Sequence, residues 1–347
     1  MSQMINSLDF TDITKKLRRF FDKKGWVEVY TQNTLHLLSV HEDTNILSNF
    51  NYDGMIWPLP QTAKITLDYE LLKHSDWKGV FCLSTCFKNS SDQLDTSDNK
   101  IVPMYEFIMR GNMEDLIHIE AELLHYLGLG EIDQFVYKKY STLLEKYDIN
   151  ELNNKLIYDD IGSVVFLKEY PNDNSTFWNT KLATNKLTLK NINVIINGIK
   201  VIHSAEMSVN KEDMREQFNK MNNKNYTNIL FSNYGKERVE KEVEDYLKLD
   251  FFTRAGGYID ITKFINIMKL NNLLHKPLLC DIEQKILEKK HLEEATLEHE
   301  LLKKTKRNRC WSLPVSSKRN TKLVNSVARV ASKAGAKAFE MAGDALI

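Results

Sequence analysis

The stretch "AGGYIDITKF", residues 255–264, begins with two glycines and leads into the apolar, helix-forming run "DITKFINIMKL". Adjacent glycines before a helix let a backbone pass close to a ligand, as in a phosphate-binding turn. Tyr258 and Asp260 set a ring and a negative charge where a nucleotide phosphate would tolerate neither. The stretch therefore reads as a glycine-rich ligand turn that has been filled in.

The chain before this stretch alternates helical and extended patterns. From Phe10 to Phe21 the residues Phe10, Ile13, Leu17, Phe20 and Phe21 recur at three- and four-residue steps, an amphipathic helix ending near Gly25. "WVEVYT" then alternates as a strand, and a helix is expected over 62–72. "GVFCLSTCF" (79–87) and "MYEFIMRG" (104–111) read as strands joined by the polar loop "KNSSDQLDTSDNK", an antiparallel hairpin with a long tip. A helix over 113–127 stops at "GLG". "SVVFLKEYP" and "INVIINGIKVIHSAEMSV" are strand-rich, "NKEDMREQF" starts a helix capped by Asn210, and "KERVEKEVEDYLKL" is a charged helix. This order predicts an α+β domain on a mostly antiparallel sheet flanked by helices, over 1–277, followed by a charged helical and basic C-terminal extension over 278–347.

Composition narrows the class. The 347 residues are 42% hydrophobic and 27% charged, as in ordinary globular proteins. The longest apolar runs, such as Val164 to Leu167 and Ile192 to Ile196, fall far short of the roughly 20 residues of a membrane span. The start "MSQMINSLDF" has no secretory pattern, and four scattered cysteines make no disulfide framework, so a reducing, cytoplasmic setting is expected. Residues 303–337 hold 11 Lys and Arg and no acid; removing those 11 from the 47 basic residues leaves 36 against 47 acidic in the body. That tail is read as an RNA-phosphate contact, as an amphipathic packing segment poor in membrane-anchoring residues, or as a solvated appendage.

Taken together, the pieces resemble the catalytic core of the class II aminoacyl-tRNA synthetases, in the aspartate and asparagine branch that includes ammonia-dependent asparagine synthetase. The resemblance covers roughly residues 10–275. Its first motif corresponds to "LRRFFDKKGWVEVYTQ", with Gln32 where the family has proline, and its second to "FCLSTCFKNSS" with "VPMYEFIMRG". An intermediate strand corresponds to "VVFLKEYPNDNSTFWNTK", and the third motif to "GGYIDITKFINIMKL". The family activates a carboxylate with ATP and magnesium to give an aminoacyl-adenylate, a step that needs fixed positive charge on the phosphates. Arginine suits it because its planar fork grips phosphate with two hydrogen bonds.

The resemblance implies a homodimer through the first motif, and it implies roles at named positions. Lys88 and Lys263 take the places of phosphate-binding, catalytic arginines. Glu106, Phe107, Gly256 and Gly257 complete the ATP site, and Gln61, His203 and Glu206 fall in the amino-acid substrate site, with no metal ligand assigned. The departures are Ser90 for a glutamate, Lys200 for a metal-binding glutamate, Met207 for an arginine, and Tyr258 and Asp260 for glycines. Three functions stay open: a diverged synthetase-like protein with a degenerate adenylate site; an active aspartate- or asparagine-type ligase using ATP and Mg²⁺; and an RNA-binding accessory protein. His203 is read as a base or as a packed histidine. Cys82 and Cys86, four apart on one strand face, are read as a buried pair or, with His36 and His41, as a zinc site.

Overall fold

The computed structural model describes residues 4–31, 34–40, 47–87, 101–147, 161–172 and 177–276, with Lys289, Lys290, Glu293 and Thr296 beyond them. Gln32, His41, Lys88, Ser90 and the basic tail at 303–337 lie outside the described residues. The chain divides by contacts into Met1–Ile282 and Glu283–Ile347, and the sheet with its flanking helices belongs to the first unit.

Helix α1 (Ser7–Lys23) starts where the Asn6 side chain accepts the Leu8 and Asp9 amides, and it buries Ile13, Leu17, Phe20 and Phe21. After Gly25 the chain enters β1 (Val27–Glu28), shorter than the strand expected from "WVEVYT", which pairs in parallel with β4 (Gly79–Phe87). Between them lie the hairpin β2 (Asn49–Tyr52) and β3 (Met55–Pro58), then α2 (Lys64–Lys73). The β2–β3 turn is Asp53 and Gly54 with φ of 52° and 73°, the left-handed pair that a two-residue Asp-Gly hairpin requires. β5 (Ile101–Arg110) lies antiparallel to β4, confirming the expected hairpin and extending its second strand back to Ile101.

Next come α3 (Met113–Tyr126), with an Asn112 and Asp115 capping box, β6 (Val136–Lys139), α4 (Tyr140–Leu144) and β7 (Val164–Lys168). The hairpin β8 (Asn191–Ile196) and β9 (Ile199–Glu206) leads to α5 (Lys211–Lys220), capped by Asn210 as expected, then α6 (Asn225–Tyr234) and α7 (Lys236–Leu247). β10 (Arg254–Asp260) and α8 (Ile261–Leu270) are the glycine stretch and its helix. The eight-stranded sheet runs β1-β4-β5-β10-β9-β8-β7-β6, with only the two outer pairs parallel. Among the described residues no helix is long and apolar enough to cross a membrane.

Alternation along the strands gives the sheet two faces. Phe81, Tyr105, Phe107, Met109, Phe166 and Ile259 turn to α1, α3 and α8, where Phe21 stacks on Phe81 and Tyr105. Over the opposite face, α2 packs on β4 and β5, and α5 to α7 build a second core around Trp178, Phe218, Tyr226 and Tyr246. The glycine stretch is therefore a central strand, enclosed by neighbours on both edges.

Candidate functional site

Gly256 and Gly257 sit where β10 is squeezed between β5 and β9. A methyl group at Gly256 would overlap the Phe107 carbonyl oxygen and lie 2.7 Å from Ile108 Cα. At Gly257 it would overlap Ser204 Oγ and the His203 carbonyl. Neither glycine has a left-handed φ, so close approach of neighbouring strands, not a turn, accounts for both. Gly257→Ala is accordingly expected to destabilise by about 1–3 kcal/mol, because backbone cannot move aside as a flexible side chain can; the urea midpoint checks it, and an unchanged midpoint would show that the strands are not in contact as described.

On the face opposite α1, Cys82, Glu106, Tyr258, His203 and Asn193 form one row across five strands. Glu106 is fully enclosed: it accepts from Thr62 Oγ1 and Ser84 Oγ at 2.5 Å, from the Ala63 amide at 2.7 Å, and from Cys86 Sγ at 3.7 Å. Burial pushes its pKa above the ordinary glutamate range, and the Ser84, Thr62 and Ala63 hydrogen bonds draw it part of the way back. Glu106 thus ties β5 to β4 and to the start of α2. Gln61, also buried, lies just before that start, with its amide on the Ser39 carbonyl. Phe107, one residue on, points the other way and packs at a tilt against Phe21 and Trp26 in the helical core. Cys82 and Cys86 are buried thiols, in no disulfide among the described residues, and His36 stacks on Tyr69.

Beside Glu106, the Tyr258 ring lies on the His203 imidazole with centroids 4.9 Å apart and planes 18° apart. Tyr258 also packs on Cys86, Val102 and Met104. Further along, the Asp260 carboxylate caps α8 by accepting the Lys263 amide at 3.1 Å, and it stands 3.9 Å from Lys263 Nζ. Lys200 comes from β9 to the same end of the face, with its ammonium 5.8 Å from the Tyr170 ring. Burial, and secondly the charge of Lys263, hold the Lys200 pKa below that of ordinary lysine.

Glu206 projects from the opposite side of β9, toward α3. It accepts from Lys181 at 2.5 Å, from Lys190 at 3.3 Å and from the Met113 amide at 3.1 Å, and is 1% exposed. Burial would raise its pKa, but the Lys181 and Met113 hydrogen bonds and the two lysine charges bring it below the ordinary value. Met207 is buried, its amide bonded to the Arg254 carbonyl. The structure therefore gathers Glu106, His203, Lys200 and Tyr258 on one face, leaves Phe107 and Glu206 on the other, and sets Lys263 at the first turn of α8 beside Asp260.

The largest polar feature of this face escaped the sequence reading. Arg254, the residue before the glycine stretch, forms a two-pronged ion pair with Asp68 of α2, donates to the Ser208 carbonyl at 3.1 Å, and contacts Tyr246 Oη of α7 at 2.9 Å. Tyr246 Oη donates to Asp68 and accepts from Asn179 Nδ2 at 2.9 Å. A cleft of about 340 Å³ at the α3 N-terminus, lined by Lys168, Glu169, Asn185, Thr188 and Lys190 among others, contains none of the residues singled out from the sequence. Among the described residues no group of three or more His, Cys, Asp or Glu is placed to hold a metal ion.

No protein-family model matches the chain, and no curated protein matches it in sequence. Solved structures do match in shape. Asparaginyl-tRNA synthetase from Pyrococcus horikoshii, complexed with asparaginyl-adenylate, superposes with TM-score 0.59 at 12% identity, over 76% of this chain and 64% of that one. The Entamoeba histolytica asparaginyl-tRNA synthetase complex with asparaginyl-adenylate gives 0.58 at 11%, over 75% and 62%. A putative aspartyl-tRNA synthetase from Leishmania major Friedlin gives 0.57 at 10%, over 75% and 61%. The chain thus spans less than two thirds of each of these proteins. At such identity the likeness is one of architecture: the chain has the class II synthetase fold, a mostly antiparallel sheet with helices on its faces.

Proposed function

We propose that this chain retains the class II synthetase fold with a degenerate adenylate site, and forms aminoacyl-adenylate weakly or not at all. The observation that carries the reading is the Tyr258 ring, stacked on His203 and packed on Met104, over the part of β10 that glycine would leave open to a ligand. The other residues point the same way. Phe107 is turned into the helical core, so its ring does not reach the face that holds Glu106. All of Glu106's carboxylate capacity is directed to Thr62, Ala63, Ser84 and Cys86. Magnesium binds through hard oxygen ligands, and at the position the resemblance gives to a metal-binding glutamate stands Lys200, a cation beside the cation Lys263. The described residues do not fit a magnesium–ATP pair.

Pyrophosphate exchange into ATP, run with Mg²⁺ across the standard amino acids, tests the reading. The expected rate is at or only slightly above the protein-free blank for every amino acid. Robust exchange with aspartate or asparagine would establish the active ligase instead, with Lys263, whose side chain is 41% exposed, holding phosphate.

A further inference from the structure

We propose that the cleft at the α3 N-terminus is a small-molecule site of its own, on the face of the sheet opposite Tyr258, and that it takes a small zwitterion: a free amino acid whose side chain bears a second carboxylate. The inference does not depend on the state of the adenylate face.

Strand parity and a closed turn put the cleft together. Lys168, the last residue of β7, pairs with Ile192 of β8, whose side chain belongs to the core under α1, α3 and α8. Lys190, two residues before Ile192, reaches Glu206 of β9 at 3.3 Å on that same side. Buried Glu206 also holds Lys181 and the Met113 amide, so it fixes the floor where β8, β9 and the start of α3 meet. The rim is equally set. Asn185 Oδ1 accepts the Leu187 and Thr188 amides at 3.0 and 3.1 Å and Thr188 Oγ1 at 3.2 Å, and the Ala183 amide donates to the Thr188 carbonyl at 2.8 Å. The volume, about 340 Å³, lies at the small end of ligand sites, which run from about 300 to 1,000 Å³. A rim ordered by its own hydrogen bonds avoids part of the ordering cost of binding.

The groups left without partners define the ligand. Lys168 and Glu114 both line the cleft, and among the described residues neither side chain has a hydrogen bond or ion pair, with each other or with any neighbour. Glu169, the other acid of the lining, is taken by Lys139 at 2.8 Å. Asn185 uses its oxygen in the turn and presents its NH₂, and Lys190 gives one ammonium hydrogen to Glu206 and keeps two. The α3 amides take no part, because Glu206 accepts from Met113 and Asn112 accepts from Glu114 and Asp115. One free ammonium and one free carboxylate in the same cleft match a ligand carrying both charges, its carboxylate on Lys168 and Asn185 and its ammonium on Glu114. The remaining donors of Lys190 suit a second carboxylate. A phosphate would meet the like charge of Glu114, and no aromatic ring stands in the lining to stack on a base.

Isothermal titration and thermal unfolding of the full chain with L-glutamate, glutarate and 1,4-diaminobutane test this. L-Glutamate is expected to bind and to raise the melting temperature. Glutarate, which lacks the ammonium, and the diamine, which lacks the carboxylates, should bind about tenfold more weakly or worse. Lys168→Met and Glu114→Gln should each weaken glutamate binding about tenfold or more, while Lys168→Arg keeps it within about threefold. Glu114 is exposed, so Glu114→Gln gives the readout should Lys168→Met fail to fold. Absence of saturable binding, glutarate binding as tight as glutamate, or unchanged affinity in the folded Lys168 and Glu114 variants would each overturn the proposal. So would loss of binding in Lys263→Met, which would place the amino acid on the opposite face. Pyrophosphate exchange is read separately: exchange activity removes only the degenerate-site reading, and absence of glutamate binding removes only this one.

Discussion

Arg254→Met is expected to lower the free energy of unfolding by about 3–5 kcal/mol, read as a drop in the urea midpoint. Arg254 and Asp68 are both 0% exposed, and the guanidinium meets the carboxylate through two nitrogens. Burial alone would lower the Arg254 pKa; the Asp68 charge beside it more than reverses this, so it lies above the ordinary arginine value. Removing the arginine leaves the Asp68 carboxyl in the interior with only the Tyr246 hydroxyl to answer it, and removes the donor to the Ser208 carbonyl. The loss is therefore the penalty of a stranded charge, not the strength of one contact. The double variant Asp68→Leu, Arg254→Met should recover most of the loss, because two apolar side chains strand nothing. A single-variant loss below about 1 kcal/mol would show that water reaches the pair. The network matters for the site because it pins the start of the glycine strand to α2 and α7.

How much of this was legible in the sequence depends on how local the cause is. The β4–β5 hairpin, α1, α3, α5, α7 and the β10–α8 junction were readable because alternation, helical spacing and caps such as Asn210 act within a few residues. The β2–β3 hairpin was also written locally, in Asp53 and Gly54, and was passed over because its strands are short. The site was less legible. Gly256 and Gly257 suggested ligand approach, and the structure shows instead that they are demanded by Phe107, Ile108 and Ser204 on neighbouring strands distant in sequence. Parity decides Phe107 and Glu206: each shares a motif with a residue on the ligand-facing side yet points away from it. Arg254 and Asp68 are 186 residues apart, and no pattern within either segment announces the pair.

Glu120→Gln is expected to stabilise the protein at pH 7.5 and to lose that advantage below pH 4.5, a reversal that a merely structural substitution would not give. Glu120, on α3, is fully buried; it accepts from Ser204 Oγ through one oxygen while the other has no partner among the described residues. Burial pushes its pKa up to about 8, and the Ser204 hydrogen bond opposes this without prevailing. The folded value exceeds the unfolded one, taken as 4.5, so the unfolded chain releases this proton first as pH rises. Stability attached to the protonated carboxyl is thus complete below pH 4.5 and is lost progressively up to about pH 8. At about 1.4 kcal/mol per pH unit, that is roughly 4 kcal/mol by pH 7.5. Glutamine has no proton to lose but adds unpaired amide donors at a cost of about 1–3 kcal/mol, so the net gain at pH 7.5 is about 1–3 kcal/mol and turns into a loss in acid. Melting temperatures of both proteins from pH 4 to pH 9 check this, and parallel curves would mean that Glu120 is hydrated or ionised in the folded state. Because Ser204 Oγ also fills the space that Gly257 leaves, the protonated carboxyl, the hydroxyl and the missing side chain form one packed column under β10. Ionising Glu120 is expected to loosen the same strand whose upper face carries Tyr258.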